Sequence, residues 1–256
     1  MAEIVIVPSA ADAGALVAEE ILRLVRRTPD AVLGLATGST PLPVYEALRA
    51  RKGEVDLSQV RGFALDEYLG LPAGHPQSYR EVVRREVVEP LGLDPDDVQV
   101  PNGAAADPER AAADYEELIR AAGGIDVQIL GIGGNGHLAF NEPGSALDSR
   151  TRVVELTAST REANARFFPS LGDVPAQALT QGLGTIREAR SLILLASGSG
   201  KADAVAAALT GPVTPRVPAS VLQLHPDVTV LLAGGSEAGL EPGSYTLVRE
   251  TSASGH

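Results

Sequence analysis

Cysteine and tryptophan are absent from the 256 residues, a single methionine is present, and aromatic residues make up 4%. Without cysteine there is no disulfide, no thiolate nucleophile and no Cys-ligated zinc. Basic residues are few: 21 Lys and Arg stand against 33 Asp and Glu, a formal charge of −12. A surface of that sign repels a phosphate backbone, and no basic stripe offsets it, which argues against nucleic-acid binding. Long apolar runs are missing too; the longest, such as 228–233, are far too short to cross a bilayer. The opening MAEIVIVPS has neither a basic n-region nor a long apolar stretch, so no signal peptide is expected. A soluble cytoplasmic protein is the expectation. What is present is 44% hydrophobic residues, a supply of Ala, Val, Leu and Ile that suits one large α/β domain.

Short apolar runs alternate with helical patterns along nearly the whole chain. Candidate strands fall at 4–7, 31–36, 62–65, 127–131, 192–196 and 228–232. Val17, Ile21 and Leu24 follow i, i+4, i+7 spacing, which predicts an amphipathic helix over 10–27. A second helix is expected from Pro41, behind Thr40, to near Gly53, and a third over 76–88, ended by Pro90. Others run from Asp107-Pro108 to Gly123-Gly124 and over 200–209. Apolar strands separated by helices imply an α/β fold with a mostly parallel sheet covered on both faces. Ligands of such sheets gather at the carboxyl ends of the strands. The stretch 143–185, rich in polar and turn residues, reads as an excursion from the sheet. Residues from about 236 to 256, rich in Gly and Ser, read as a loose tail.

Four post-strand segments carry candidate chemistry. Thr37-Gly38-Ser39-Thr40-Pro41 offers a close-approach glycine, hydroxyls and a helix N-terminus, which together suit a phosphate. An ordinary helix cap explains Thr40 and Pro41 equally well. Pro41 and Pro43 lack N–H, so backbone donors would come from Gly38, Ser39, Thr40 and Leu42. Asp66 and Glu67 follow the third strand; neighbours on an extended segment point to opposite sides, so they are no shared-proton pair. Strand-end carboxylates are also common as turn formers.

Gly131, Gly133 and Gly136 spell GxGxxG, but LAFNEPG follows and ends in Pro-Gly instead of running on as a helix. The fingerprint also belongs in a first βαβ unit, so a dinucleotide site is rejected. What remains is a Gly-rich turn presenting Asn135, His137, Asn141 and Glu142. A glycine-flanked His at the end of a buried strand is a poor core residue. Its imidazole suits proton traffic near neutrality, and Glu142 is placed to fix its tautomer. Ser197-Gly198-Ser199-Gly200-Lys201 fails as a Walker A loop, with Leu195 at the first glycine position and Ala202 at the hydroxyl position. Lys201, one of two lysines, is either a phosphate partner or a solvated surface residue. No His/Asp/Glu cluster has metal spacing, and no GxSxG elbow is present.

Taken in order, LATGSTPLPVYEAL, FALDEYLGL, LGIGGNGHLAFNEPGS, LTASTREANARFF, ALTQGLGTI, ASGSGKA and PASVLQLHPDVTV resemble the glucosamine-6-phosphate deaminase family. Its members convert glucosamine 6-phosphate and water into fructose 6-phosphate and ammonia. The resemblance runs from Leu33 to about Leu232. It implies a Rossmann-like sheet with a lid within about 143–185. It further implies Asp66 as the base moving a proton between C2 and C1, His137 as the ring-opening residue and Glu142 as its carboxylate partner. Gly38, Ser39, Thr40, Arg166 and Lys201 match phosphate-binding positions.

Asn135 joins the catalytic group at a position where some members carry Asp. Members activated by N-acetylglucosamine 6-phosphate use a Ser, an Arg and a Lys near the lid; this chain keeps Ser145 and Arg152 but has Val154 for the Lys. Ala233 stands where many members have Asp. The implied reaction requires no metal, nicotinamide or pyridoxal, and its partner is a small amino-sugar phosphate. The family includes monomers and hexamers, which leaves a homo-oligomer open. Two alternatives stand beside it: a 6-phosphogluconolactonase-type hydrolase, which abstracts no C2 proton, and a non-catalytic sugar-phosphate sensor. Sensors with a similar domain carry a helix-turn-helix ahead of it, for which the early first strand and the negative charge leave neither room nor polarity.

Overall fold

In the computed structural model, residues 2–241 are described, together with the backbone of 246–250. The chain begins β1 (Glu3–Val7), α1 (Ala10–Arg27), β2 (Val32–Leu35), α2 (Leu42–Ala50), β3 (Arg61–Ala64) and β4 (Asp66–Tyr68). It continues α3 (Tyr79–Val83), α4 (Glu89–Leu91), β5 (Val98–Gln99), α5 (Pro108–Ala121), β6 (Val127–Gly131), β7 (Arg152–Glu155) and α6 (Ala158–Asn164). Last come β8 (Gln177–Thr180), α7 (Leu183–Arg187), β9 (Ser191–Ser197), α8 (Ala202–Thr210), β10 (Val228–Ala233) and β11 (Thr246–Glu250).

The large sheet has the order β11-β1-β10-β9-β6-β2-β3-β5, and every neighbouring pair is parallel. Its central strands are buried at successive positions, as a parallel sheet covered on both faces demands. From β2 the chain builds towards β3 and β5, whereas β6, β9 and β10 build towards the other edge. Between β2 and β6 only Leu33↔Val127 and Gly34↔Gln128 pair before the ladder stops. This reversal places a crevice at the carboxyl ends of the strands.

β4, β8 and β7 form a second, antiparallel sheet. It sits over a small apolar cluster that includes Tyr68, Phe140, Leu156 and Phe168. The chain passes from the large sheet to the small one at Leu65, so Asp66 stands at the crossing. The polar excursion 143–185 therefore contains β7, α6, β8 and the start of α7.

Local chemistry sets the helix ends. The Ser9 hydroxyl accepts the Asp12 N–H at the start of α1, and Asp107 accepts the Arg110 N–H ahead of Pro108 at the start of α5. Two expectations are corrected. The third helix starts at a Ser78 cap and runs through a widened π turn, Arg84–Val88, to Leu91, so Pro90 does not end it. The wide turn takes up the carbonyl that a proline would strike, and Gly92, left-handed at φ 72, makes the actual stop. The region from about 236 is not all loose tail. Leu240 is buried, and β11 pairs with β1 from Glu3↔Thr246 to Ile6↔Glu250. Thr246-Leu247-Val248 is a strand-forming run, and β1 would otherwise present an open edge. The rest of that tail, 242–245 and 251–256, lies outside the described residues. Among the described residues no helix is long and apolar enough to cross a membrane.

Candidate active site

Loops leaving β2, β3, β6 and β9 meet at the crevice. After β2, Gly38 takes φ 87, a conformation that favours glycine, and Ser39 and Thr40 follow. No side chain caps α2. Thr40 is therefore not spent as a helix cap, and its hydroxyl stays free for a ligand. Ser39 and Thr40 line a cavity of about 360 Å³ with Ala10, Ser197 and Lys201. Gly198, at φ 92, turns the chain from β9 into that cavity. Burial lowers the half-buried Lys201 ammonium from its ordinary value. Two hydroxyl-bearing, glycine-turned loops and one ammonium around a concavity suit a phosphate. Arg166 does not line it. It follows α6, is exposed, and holds its guanidinium 4.6 Å above the Phe167 ring.

Asp66 and Glu67 diverge as their extended spacing predicts. Glu67 is structural: its Oε1 accepts the N–H groups of Tyr68 (2.8 Å) and Tyr79 (2.9 Å), and its Oε2 that of Arg80 (2.9 Å). Asp66 is only 6% exposed, and among the described residues its carboxyl takes part in no hydrogen bond and faces no cation. Burial, helped by the Glu67 charge, pushes it up from 3.8 to about 8. Asp66 pairs with Thr180 across the small sheet, and the Thr180 hydroxyl accepts the Phe140 N–H at 3.2 Å. That link sets the loop after β6 directly beside Asp66.

This loop is tightly specified. Ala139 adopts φ 52, the one positive-φ residue other than glycine among those described. Gly133 leaves room for the His137 ring, because a Cβ there would lie 2.2 Å from His137 Cε1 and would displace it. His137 Nδ1 lies 2.7 Å from Asn135 Oδ1, and Asn135 Nδ2 donates to Glu142 Oε2 at 2.7 Å. A carboxylate only accepts, so Asn135 must turn its amide nitrogen to Glu142 and its oxygen to His137. The His137 proton therefore sits on Nδ1, leaving the Nε2 lone pair bare. Burial lowers His137 below its ordinary value, Glu142 opposes that fall, and Lys201 adds to it. The ring thus lies within electrostatic reach of the phosphate cavity, and its side chain keeps 30% exposure for a ligand.

Arg152 donates to Asn141 Oδ1 (2.8 Å) and to the Ser145 hydroxyl (3.2 Å), while Asn141 Nδ2 donates to the Leu138 and Gln181 carbonyls. Ser145 and Arg152 are thus together, at the root of the small sheet. Among the described residues no group of three or more His, Asp or Glu is placed to hold a metal ion. Sequence reasoning missed Thr157 and Thr160, whose hydroxyls reach Glu142 Oε1. It also did not single out Tyr79, whose ring stacks on Phe140 at 6.0 Å and whose phenol is acted on by Asp66. The T-A-S-T run at the start of α6 marks Thr157 as a helix cap but gives no sign of Glu142.

Comparison with known families matches residues 8–232 to the one described as glucosamine-6-phosphate isomerases/6-phosphogluconolactonase. The chain belongs to this family. Within the glucosamine-6-phosphate isomerase/6-phosphogluconolactonase family it is 55% identical to a glucosamine-6-phosphate deaminase of Streptomyces coelicolor, over 95% of this chain and 94% of that one. It is 52% identical to a glucosamine-6-phosphate deaminase of Mycolicibacterium smegmatis, over 97% and 96%. The solved structure of a monomeric glucosamine-6-phosphate deaminase superposes with a TM-score of 0.90 at 39% identity, covering 93% of this chain and all (100%) of that one. A 6-phosphogluconolactonase from Trypanosoma cruzi reaches 0.75 at 21% identity, a likeness of fold alone.

Proposed function

We propose that the protein is a glucosamine-6-phosphate deaminase, converting glucosamine 6-phosphate and water into fructose 6-phosphate and ammonia. The observation that carries this reading is the buried, unpartnered Asp66 carboxyl beside the His137 loop. Lactone hydrolysis abstracts no carbon-bound proton, whereas an aldose-to-ketose shift needs a desolvated base. The identity to curated deaminases, 52–55% over most of the chain, supports the same choice.

The phosphate is held by Gly38, Ser39, Thr40 and Lys201, and its binding energy orients the distant carbons. The segment 143–185 acts as a lid, whose closure brings Arg166, in the turn after α6, from its outward position towards the phosphate. His137 Nε2 takes the O1 proton and returns a proton to the ring oxygen, which opens the pyranose. Asn135 and Glu142 hold that imidazole. Asp66 then removes the C2 proton and delivers it to C1, and the enolamine becomes an imine at C2. Water adds to the imine carbon, and ammonia leaves as the C2 carbonyl forms. A C2 ammonium beside Asp66 supplies a positive charge that favours the ionised base. Ser145 and Arg152, occupied with one another, are the remnant of an activator site whose third residue, a lysine, is replaced by Val154.

Purified protein given glucosamine 6-phosphate without additives should release ammonia and fructose 6-phosphate in equal amounts. No turnover at high enzyme concentration would defeat the proposal. Undiminished activity of Asp66→Asn on 6-phosphogluconolactone would favour the hydrolase instead.

A further inference from the structure

Glu142 has two oxygens with separate duties. Oε2 fixes the Asn135 amide, and through it the His137 tautomer. Oε1 is held from another element altogether: the Thr160 hydroxyl donates to it, and Thr157 Oγ1 lies 3.3 Å away. Thr157 also caps α6, accepting the Thr160 N–H at 3.2 Å, and its hydroxyl stands 3.0 Å from that of Thr160. The two hydroxyls form a small donor relay aimed at one carboxylate oxygen. Thr160 is 9% exposed, so water does not readily replace it.

The other end of the same segment is different. α6 continues directly into the turn Ala165–Phe167, where Arg166 is exposed and Phe167 is 48% exposed. One short arm is therefore pinned near its root to Glu142 and anchored beyond its turn by the buried Phe168, while Arg166 and Phe167 between them face outwards. Arg166 is six positions from Thr160, about 9 Å along a helix. No other side-chain hydroxyl or amide among the described residues reaches Glu142 Oε1. If that oxygen is released the carboxylate can rotate, the Asn135 amide loses the constraint on its orientation, and the proton on Nδ1 of His137 is no longer enforced.

We propose that Thr160, backed by Thr157, is a positioning residue that ties the arm bearing Arg166 to His137 through Glu142 and Asn135. The inference rests on the reading above that His137 performs the ring-opening proton transfer. The charged groups facing His137 are Glu142 and Lys201. Thr160 touches neither the imidazole nor the phosphate cavity and acts only through the carboxylate. The arrangement makes the histidine tautomer answerable to where the arm sits.

Two variants and two readouts test this. Thr160→Val keeps the shape and removes the hydroxyl; Thr160→Ser keeps the hydroxyl. In 15N-labelled protein, with the His137 signal assigned by His137→Gln, the wild type should show a neutral ring protonated on Nδ1. Thr160→Val should show a mixture of tautomers and a raised titration midpoint, and Thr160→Ser should match the wild type. With glucosamine 6-phosphate, Thr160→Val should lose about 10- to 100-fold in kcat, the size of loss seen when a partner that orients a metal-ligating His is removed, with KM within about twofold. Thr160→Ser should restore kcat. An unchanged His137 spectrum in Thr160→Val, or equal impairment of both variants, would overturn the inference. The spectrum needs no turnover. A wild type that leaves glucosamine 6-phosphate untouched would defeat the proposed function while the spectra still decide the role of Thr160.

Discussion

Replacing Asp66 by asparagine removes a carboxyl that is 6% exposed and that burial, with Glu67 beside it, carries from 3.8 to about 8. The folded value lies above the unfolded one. Between about pH 4 and pH 8 the folded chain therefore keeps a proton that the unfolded chain has released. The favourable state of this group is fully present below pH 4 and is lost as pH rises through 8. At about 1.4 kcal/mol per pH unit, ionising Asp66 inside the fold costs on the order of 5 kcal/mol above pH 8. For a chain of this size roughly 2–4 °C of Tm accompanies each kcal/mol. From pH 5 to pH 8 the wild type should thus lose on the order of 10 °C of Tm relative to Asp66→Asn. The assay is thermal or urea unfolding of both proteins at pH 5, 6, 7, 8 and 9. The change of the difference with pH is the quantity to compare, because a buried amide carries its own pH-independent cost. Wild-type and variant curves running parallel from pH 5 to 9 would refute the burial argument.

The same carboxyl, acting as a base, must be ionised to work, so kcat/KM of the wild type should rise with pH up to about 8; an acid limb near pH 4 would contradict this. Lys201→Ala should raise KM by about 10- to 100-fold, the worth of a charged hydrogen bond, with kcat largely kept. Steady-state kinetics separates the two constants. Asn135→Asp sets a second negative charge 2.7 Å from His137 Nδ1 and should raise the titration midpoint of that ring by about one pH unit or more, measured by NMR. Gly133→Ala drives a methyl to 2.2 Å from the His137 ring and should cut kcat at least about tenfold, with thermal unfolding showing that the fold remains.

Much of the large sheet was readable because parallel strands are buried on both faces and print as unbroken apolar runs, as at β9 and β10. Capped helices such as α5 announce themselves through Asp107-Pro108. The small sheet was not readable. β7 is three half-buried residues and one exposed, RVVE, and β8 pairs with it and with β4, far away in sequence. β11 hid in a Gly- and Ser-rich context because its pairing with β1 is a tertiary fact. In the site, the divergence of Asp66 and Glu67 followed from strand geometry, and His137 from its glycine setting. The family resemblance, not the pattern of REANARFF, singled out Arg166, and the arm that bears it stands away from the phosphate cavity. Thr160 escaped notice because a threonine on a short helix carries no signal until its partner, Glu142, is located in space.

Turnover requires one cleft that holds a hexose with its phosphate at one end and C2 against Asp66. The most direct measurement is a crystal structure of the protein with an open-chain amino-alditol 6-phosphate, which cannot react. The phosphate should lie on Ser39, Thr40 and Lys201, C2 within about 3.5 Å of the Asp66 carboxyl, and His137 Nε2 towards the O1 end. A ligand bound with its phosphate elsewhere, or with C2 turned away from Asp66, would contradict it.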